Sequence, residues 1–180
     1  MIPDVIPDIH RVSSLIDRGR IEARIAELGE QISQDFAGRD LTLVGILKGS
    51  VPFLSDLMRR ISVPVQVDFL EVSSYDGMAS SGVVRLVKDL SHPIQGKNVL
   101  IVEDIVDTGL TLRYLLDALQ TRMPASLAIA TLLDKPEGRE PGIALQIDYT
   151  GFSIPNRFVV GYGLDLGGYF RNIPFVGVYH

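Results

Sequence analysis

The run VLIVEDIVDTGLTL, residues 99–112, places three carboxylates, Glu103, Asp104 and Asp107, within five positions at the end of an apolar stretch. Like charges this close repel one another, so a cation or a hydroxyl-rich ligand belongs between them. Immediately downstream, Asp107-Thr108-Gly109-Leu110-Thr111 leads into a helix-like tail. The unpaired amides and the dipole at a helix N-terminus favour an anion. Gly109 lets the backbone approach closely, while Thr108 and Thr111 add hydroxyl donors. Together these residues make a phosphate cradle. Glu103 and Asp104 are acceptors suited to sugar hydroxyls or to a hydrated Mg2+. A phosphate cradle beside acceptors for a diol describes a ribose 5-phosphate. A capped helix with solvated acids is the plainer alternative, but capping alone has no need of three carboxylates.

Positioning such groups requires a buried strand feeding a helix, and the rest of the chain supplies that pattern repeatedly. Apolar residues at Ile21, Ile25, Leu28, Ile32 and Phe36 form one stripe of an amphipathic helix over residues 17–36, closed by Gly38. LTLVGIL, residues 41–47, reads as a strand buried on both faces. A helical VPFLSDLMRRI follows, then an alternating strand over residues 63–72. Residues 73–82, SSYDGMASSG, are small and polar and read as a mobile loop. Further strands are expected at 83–88, 126–133, 158–160 and 175–178, with a helix near 109–119. Strands alternating with helices predict an α/β fold, a mainly parallel sheet flanked by helices. In such sheets ligands collect beyond the carboxyl ends of the strands. Three loops leave strands there: LKGS, EDIVDTGLT and LDKPEG.

Composition narrows the function. A chain of 180 residues, 46% hydrophobic and 22% charged, is expected to form one globular domain over residues 1–180. Its net charge of −5 argues against general nucleic-acid binding, which needs clustered cations. The absence of cysteine excludes disulfides, thiolate catalysis and thiolate metal sites. The start MIPDVIPDIHR lacks the basic, apolar build of a signal peptide. No apolar run approaches the roughly 18 residues of a membrane span. The expected location is the cytoplasm. The tripeptide Asp107-Thr108-Gly109 also occurs in aspartic proteases, but their chemistry needs two such carboxylates and this chain has one copy.

VLIVEDIVDTGLTL resembles the signature of type I phosphoribosyltransferases. VGILKGSVPFLSDL, SSYDG, VKDL, TLLDKP and GFSIPNRFVVGYGLDLGGYFRNIPFVGVY resemble one branch of them, the hypoxanthine-guanine phosphoribosyltransferases. The likeness runs over nearly the whole chain, and its final block separates this branch from its relatives. The resemblance implies a type I phosphoribosyltransferase-like fold with a small hood built from the chain ends. It implies Mg2+-dependent transfer of a 5-phosphoribosyl group from phosphoribosyl pyrophosphate to hypoxanthine or guanine, by a homodimer or homotetramer that binds neither nucleic acid nor membrane.

Roles follow position by position from that resemblance. The loop Asp107, Thr108, Gly109, Leu110 and Thr111 would hold the 5-phosphate, with Glu103 and Asp104 facing the ribose hydroxyls. Asp107 would serve as general base or acid at purine N7. Lys48 and Gly49 match the pyrophosphate loop, in which the Leu-Lys peptide is often cis; by residue type alone LKGS is a plain strand-to-helix turn. Arg171 matches a second pyrophosphate ligand, and a guanidinium can form paired bonds to phosphate. Lys135 resembles the lysine at the exocyclic oxygen of purine C6. Phe158 resembles the aromatic that stacks on the purine and Val159 the residue offering backbone groups to its edge, although residue type alone assigns both to the core. Asp165 matches a metal ligand, alongside Glu103 and Asp104. Ser74 and Tyr75 would belong to a lid. Departures from the pattern are Leu166, Gly167-Gly168 and Ala79; the first two bear on purine preference. The alternative is a regulatory nucleotide-binding protein of the same fold, which would need a basic RNA-binding face. Asp107, Lys135 and Asp165 occurring together favour the enzyme.

Overall fold

A near-continuous apolar run is satisfied by burial on both faces, and Leu41–Leu47 (β2), interrupted only by Thr42 and Gly45, lies near the middle of a sheet with six of its residues buried. In the computed structural model, which describes residues 6–74 and 84–180, β2 pairs in parallel with Val65–Ser74 (β3) on one side and Asn98–Val106 (β5) on the other. The whole order is β4-β3-β2-β5-β6-β7, with Val84–Lys88 (β4) the one antiparallel member, Ser126–Asp134 (β6) beyond β5, and Tyr149–Ser153 (β7) at the far edge. Chain order runs outward from β2 in one direction and from β5 in the other. The crevice for ligand therefore opens between the carboxyl ends of β2 and β5.

Helices cover both faces. Arg18–Asp35 (α1) starts where Asp17 accepts a bond from the Arg20 amide at 2.9 Å, and it buries Ile21, Ile25, Leu28 and Ile32. It lies with Val51–Met58 (α2) against one face, sharing a core with Phe53, Leu57 and Leu100. Leu110–Gln120 (α3) covers the opposite face through Leu112, Leu115 and Leu119, against Val44, Ile46 and Ile101.

The chain ends meet in a second, three-stranded antiparallel sheet. Val12–Ile16 (β1) pairs with Val176–Tyr179 (β9), and β9 pairs with Val159–Val160 (β8). This is the expected hood. Among the described residues no helix is long and apolar enough to cross a membrane.

β1 and β7 have no counterpart among the expected strands, and several strand boundaries move by one or two residues, most tellingly at the end of β3. Ser73 and Ser74 end β3 rather than begin a loop, because they pair with Arg85 and Val84 across the β3–β4 ladder. Backbone pairing outweighs their small polar side chains. The remainder of the expected lid, including Tyr75 and the Ser74 side chain, lies outside the described residues.

Candidate active site

The floor of the site is the end of β5. Glu103 is buried, and its carboxyl is held well above the usual range, first by that burial and then by the Asp104 carboxylate beside it. Burial likewise pushes Asp104 up to about 6, with the positive Arg171 acting in the opposite sense. Two adjoining carboxyls that resist ionisation make a place for compensating charge or for hydroxyl donors.

The LKGS turn meets this pair directly. Its Leu47–Lys48 peptide is cis. A Cβ on Gly49 would lie 1.6 Å from Asp104 Oδ2, so the carboxylate occupies the room a side chain would need. On the other side a Cβ on Gly163 would lie 2.0 Å from the Gly49 carbonyl oxygen. Asp104, Gly49 and the hood are thus stacked in contact. In the hood, Arg171 pairs with Asp165 at 2.6 Å and donates from Nη1 to the Gly163 carbonyl at 2.6 Å. Lys48 projects into solvent beside them.

Beyond Glu103 the chain turns into α3. Gly109, at φ +82°, is the residue preceding the helix, and it offers no side-chain cap to the first turn. The left-handed conformation suits glycine; the Leu110 amide makes a long bond to Thr108 Oγ1 at 3.5 Å, and a helix start of this kind has anion-binding capacity. Residues Glu103, Val106, Asp107, Thr108, Gly109 and Thr111 line a small cavity of about 150 Å³ here. The Asp107 carboxylate accepts from Lys135 Nζ at 2.8 Å, and that lysine side chain is only 7% exposed. A roomier hollow of about 560 Å³ beside Tyr162 is lined by charges that already satisfy one another, Arg18 with Glu22 and Arg59 with Asp56.

Phe158 corrects the reading by residue type. It is 53% exposed, and its carbonyl accepts from the Tyr179 amide at 3.3 Å. The strand β8 begins one residue later, so the ring is left on the rim while Val159 enters the core. An exposed aromatic ring is available to stack on a flat ligand.

Among the described residues no three acids or histidines converge as a ready-made metal site. Glu103 and Asp104 adjoin, whereas Asp165 is engaged with Arg171. An all-oxygen pair of this kind suits Mg2+, which takes one or two carboxylates and completes its shell with water and ligand phosphates.

Arg139 was not legible as a site residue. Its guanidinium donates to the Val106 carbonyl at 2.8 Å, to the Asp107 carbonyl and to the Asp134 carboxylate. The only sequence signal is an arginine four positions after Lys135.

Residues 11–166 match the family described as phosphoribosyl transferase domain. The chain is 49% identical over 172 residues to the hypoxanthine-guanine phosphoribosyltransferase of Streptococcus pneumoniae, covering 95% of this chain and 93% of that protein. It is 46% identical over 172 residues to the bifunctional protein TilS/HprT of Listeria innocua, and there it spans about a quarter of the relative's length, 26%. The crystal structure of a hypoxanthine-guanine phosphoribosyltransferase from Bacillus anthracis, with HEPES in its active site, superimposes with a TM-score of 0.89. It is 42% identical, and the match covers 93% of this chain and 98% of that one.

Proposed function

This chain belongs to the phosphoribosyltransferase family, in its hypoxanthine-guanine branch, and from that premise we propose that it salvages purines. The reaction transfers the 5-phosphoribosyl group of phosphoribosyl pyrophosphate to hypoxanthine or guanine. The bond from ribose C1′ to the pyrophosphate oxygen breaks, and a bond from C1′ to purine N9 forms. The purine loses one proton, and IMP or GMP and pyrophosphate are released.

The observation that carries this reading is the Asp107–Lys135 pair at the start of α3, reached directly from the Glu103–Asp104 pair at the end of β5. The α3 amides with Thr108 and Thr111 hold the 5-phosphate. Glu103 and Asp104 face the ribose diol. Asp107 accepts the N7 proton, and Lys135 steadies negative charge developing at the purine C6 oxygen. Phe158 stacks on the base, and Val159 offers its backbone to the base edge. Lys48, Gly49 and Arg171 take the leaving pyrophosphate. Glu103 and Asp104, together with Asp165, are the residues that would hold Mg2+, which would supply positive charge to the departing pyrophosphate. A bond-breaking ribose carries positive charge, so most of the rate enhancement comes from positioning and electrostatics rather than from a covalent intermediate.

One domain, a cytoplasmic location and a homodimer or homotetramer complete the proposal; the continuous core shared by sheet, helices and hood supports the first. Purified protein should convert phosphoribosyl pyrophosphate and hypoxanthine or guanine into the nucleotide and pyrophosphate, and should stop when Mg2+ is chelated. Tight binding of phosphoribosyl pyrophosphate with no turnover on either base would instead select the regulatory alternative.

A further inference from the structure

We propose that Arg139 is the positioning residue that aims the phosphate loop and the Asp107 carboxylate, a role that rests on the reading of this loop as the phosphoribosyl pyrophosphate site. Successive carbonyls of the loop all find their donors in one short segment. The Val106 carbonyl accepts from the Lys135 amide at 3.0 Å and from Arg139 Nη1 at 2.8 Å. The Asp107 carbonyl accepts from the same Nη1, and the Thr108 carbonyl accepts from the Glu140 amide at 3.0 Å.

A trans peptide is planar, with its carbonyl and amide pointing in opposite directions. Holding the Val106, Asp107 and Thr108 carbonyls toward residues 135–140 therefore turns the Asp107, Thr108 and Gly109 amides the other way, into the loop. Two of those peptide planes flank the Asp107 α-carbon, and Arg139 bonds to both. With both planes fixed, the Cα–Cβ bond of Asp107 is fixed too, and from that starting direction its carboxylate meets Lys135 Nζ at 2.8 Å. Arg139 is itself locked. Its other terminal nitrogen is paired with Asp134, and both side chains are less than one-fifth exposed. A planar guanidinium can serve two carbonyls and a carboxylate at once, whereas an ammonium is a compact charge without that fixed fork.

Arg139→Lys keeps the charge and removes the fork. It is expected to lower kcat and raise KM for phosphoribosyl pyrophosphate, together reducing kcat/KM by on the order of tenfold to a hundredfold, as misplacement of a reacting group by about an ångström does. KM for the purine should rise less than KM for phosphoribosyl pyrophosphate, because the stacking assigned to Phe158 and the edge contact assigned to Val159 lie outside this fork, and only the Asp107–Lys135 contacts to the base depend on it. Calorimetric titration with phosphoribosyl pyrophosphate and Mg2+ should show the same weakening without any turnover. Asp134→Asn, which weakens the anchor of the guanidinium without removing the fork, should lower the thermal midpoint and raise KM for phosphoribosyl pyrophosphate in the same direction as Arg139→Lys but by less.

Arg139→Lys with wild-type kinetics and binding would overturn the proposal. So would a variant too unstable to assay, which would assign Arg139 to folding alone, or an Asp134→Asn enzyme that weakens phosphoribosyl pyrophosphate more than Arg139→Lys does. A wild-type protein that neither binds nor turns over phosphoribosyl pyrophosphate would overturn the functional reading itself, so the two failures are distinct.

Discussion

Asp107 is the residue on which chemistry and architecture meet: its carboxylate faces Lys135, its carbonyl faces Arg139, and it stands at the entrance to α3. Asp107→Asn preserves the shape and abolishes the base. Turnover should fall by about 10²–10⁴-fold, the usual scale of acid–base catalysis, while binding of phosphoribosyl pyrophosphate changes little. Near-normal kcat in rapid-quench assays would remove Asp107 from the proton transfer. Phe158→Ala should raise KM for the purine and leave that for phosphoribosyl pyrophosphate nearly unchanged, since a half-exposed ring is open to stacking on the base; an equal rise in both constants would take Phe158 out of the base pocket. These cases also mark what residue types disclose. The acids and threonines of residues 103–111 announce a phosphate and diol site because the cluster is local. Lys135 is weak in isolation, since its partner is far away in sequence. Phe158 looks like core until the two-residue length of β8 is known. Arg139 gives no local sign at all, because two of its three partners are backbone carbonyls, which every residue possesses.

At the scale of elements, apolar periodicity located the strands and helices well, and it failed where pairing rather than side-chain type decides. Ser73 and Ser74 are strand residues because β4 bonds to them. The connection from β4 to β5 shows a second such device. Asp68, on β3, reaches across to accept from the Ser91 amide at 2.7 Å, from the Ser91 hydroxyl at 3.1 Å and from the His92 amide at 3.3 Å. Burial raises the Asp68 pKa, but these donors and the Phe69 amide more than offset it, and the net shift is downward. A depressed carboxyl stabilises the fold above its unfolded pKa, about 3.9. That stabilisation disappears as pH falls through the lower folded value. Asp68→Asn should therefore melt below the wild type at pH 7, by an amount corresponding to roughly 1–3 kcal/mol for hydrogen bonds to a charged group. The gap should narrow steadily as melting is repeated toward pH 3. Equal midpoints at pH 7 would show that the amides do not depend on the charge.

For the whole molecule, local patterns yield a list of elements but not which of them meet. The sheet order and the closing of the two chain ends into a hood are set by contacts between segments far apart in sequence; the family resemblance conveyed the hood, and the strand order is visible only in the structure. The structure supplies the physical link. Ile16, Val159, Leu164, Val176 and Val178 of the hood belong to the same buried cluster as Phe53, Leu57 and Leu100 of the sheet and α2. A shared core should unfold as one unit. In urea, tyrosine fluorescence, to which Tyr162, Tyr169 and Tyr179 of the hood contribute, should follow the same transition as far-ultraviolet circular dichroism. Two separated transitions would divide the chain into independent units. The seam can be opened deliberately at Gly163, which has φ +101° and whose added Cβ would fall 2.0 Å from the Gly49 carbonyl oxygen. Both obstacles are backbone, so neither yields by a side-chain rotation. Gly163→Ala should lower the urea midpoint by an amount corresponding to about 1–3 kcal/mol. It should also raise KM for phosphoribosyl pyrophosphate more than KM for the purine, because the displaced contact is the Lys48–Gly49 turn assigned to pyrophosphate. A variant destabilised to that extent but with both KM values unchanged would separate the hood's part in folding from any part in holding the pyrophosphate loop.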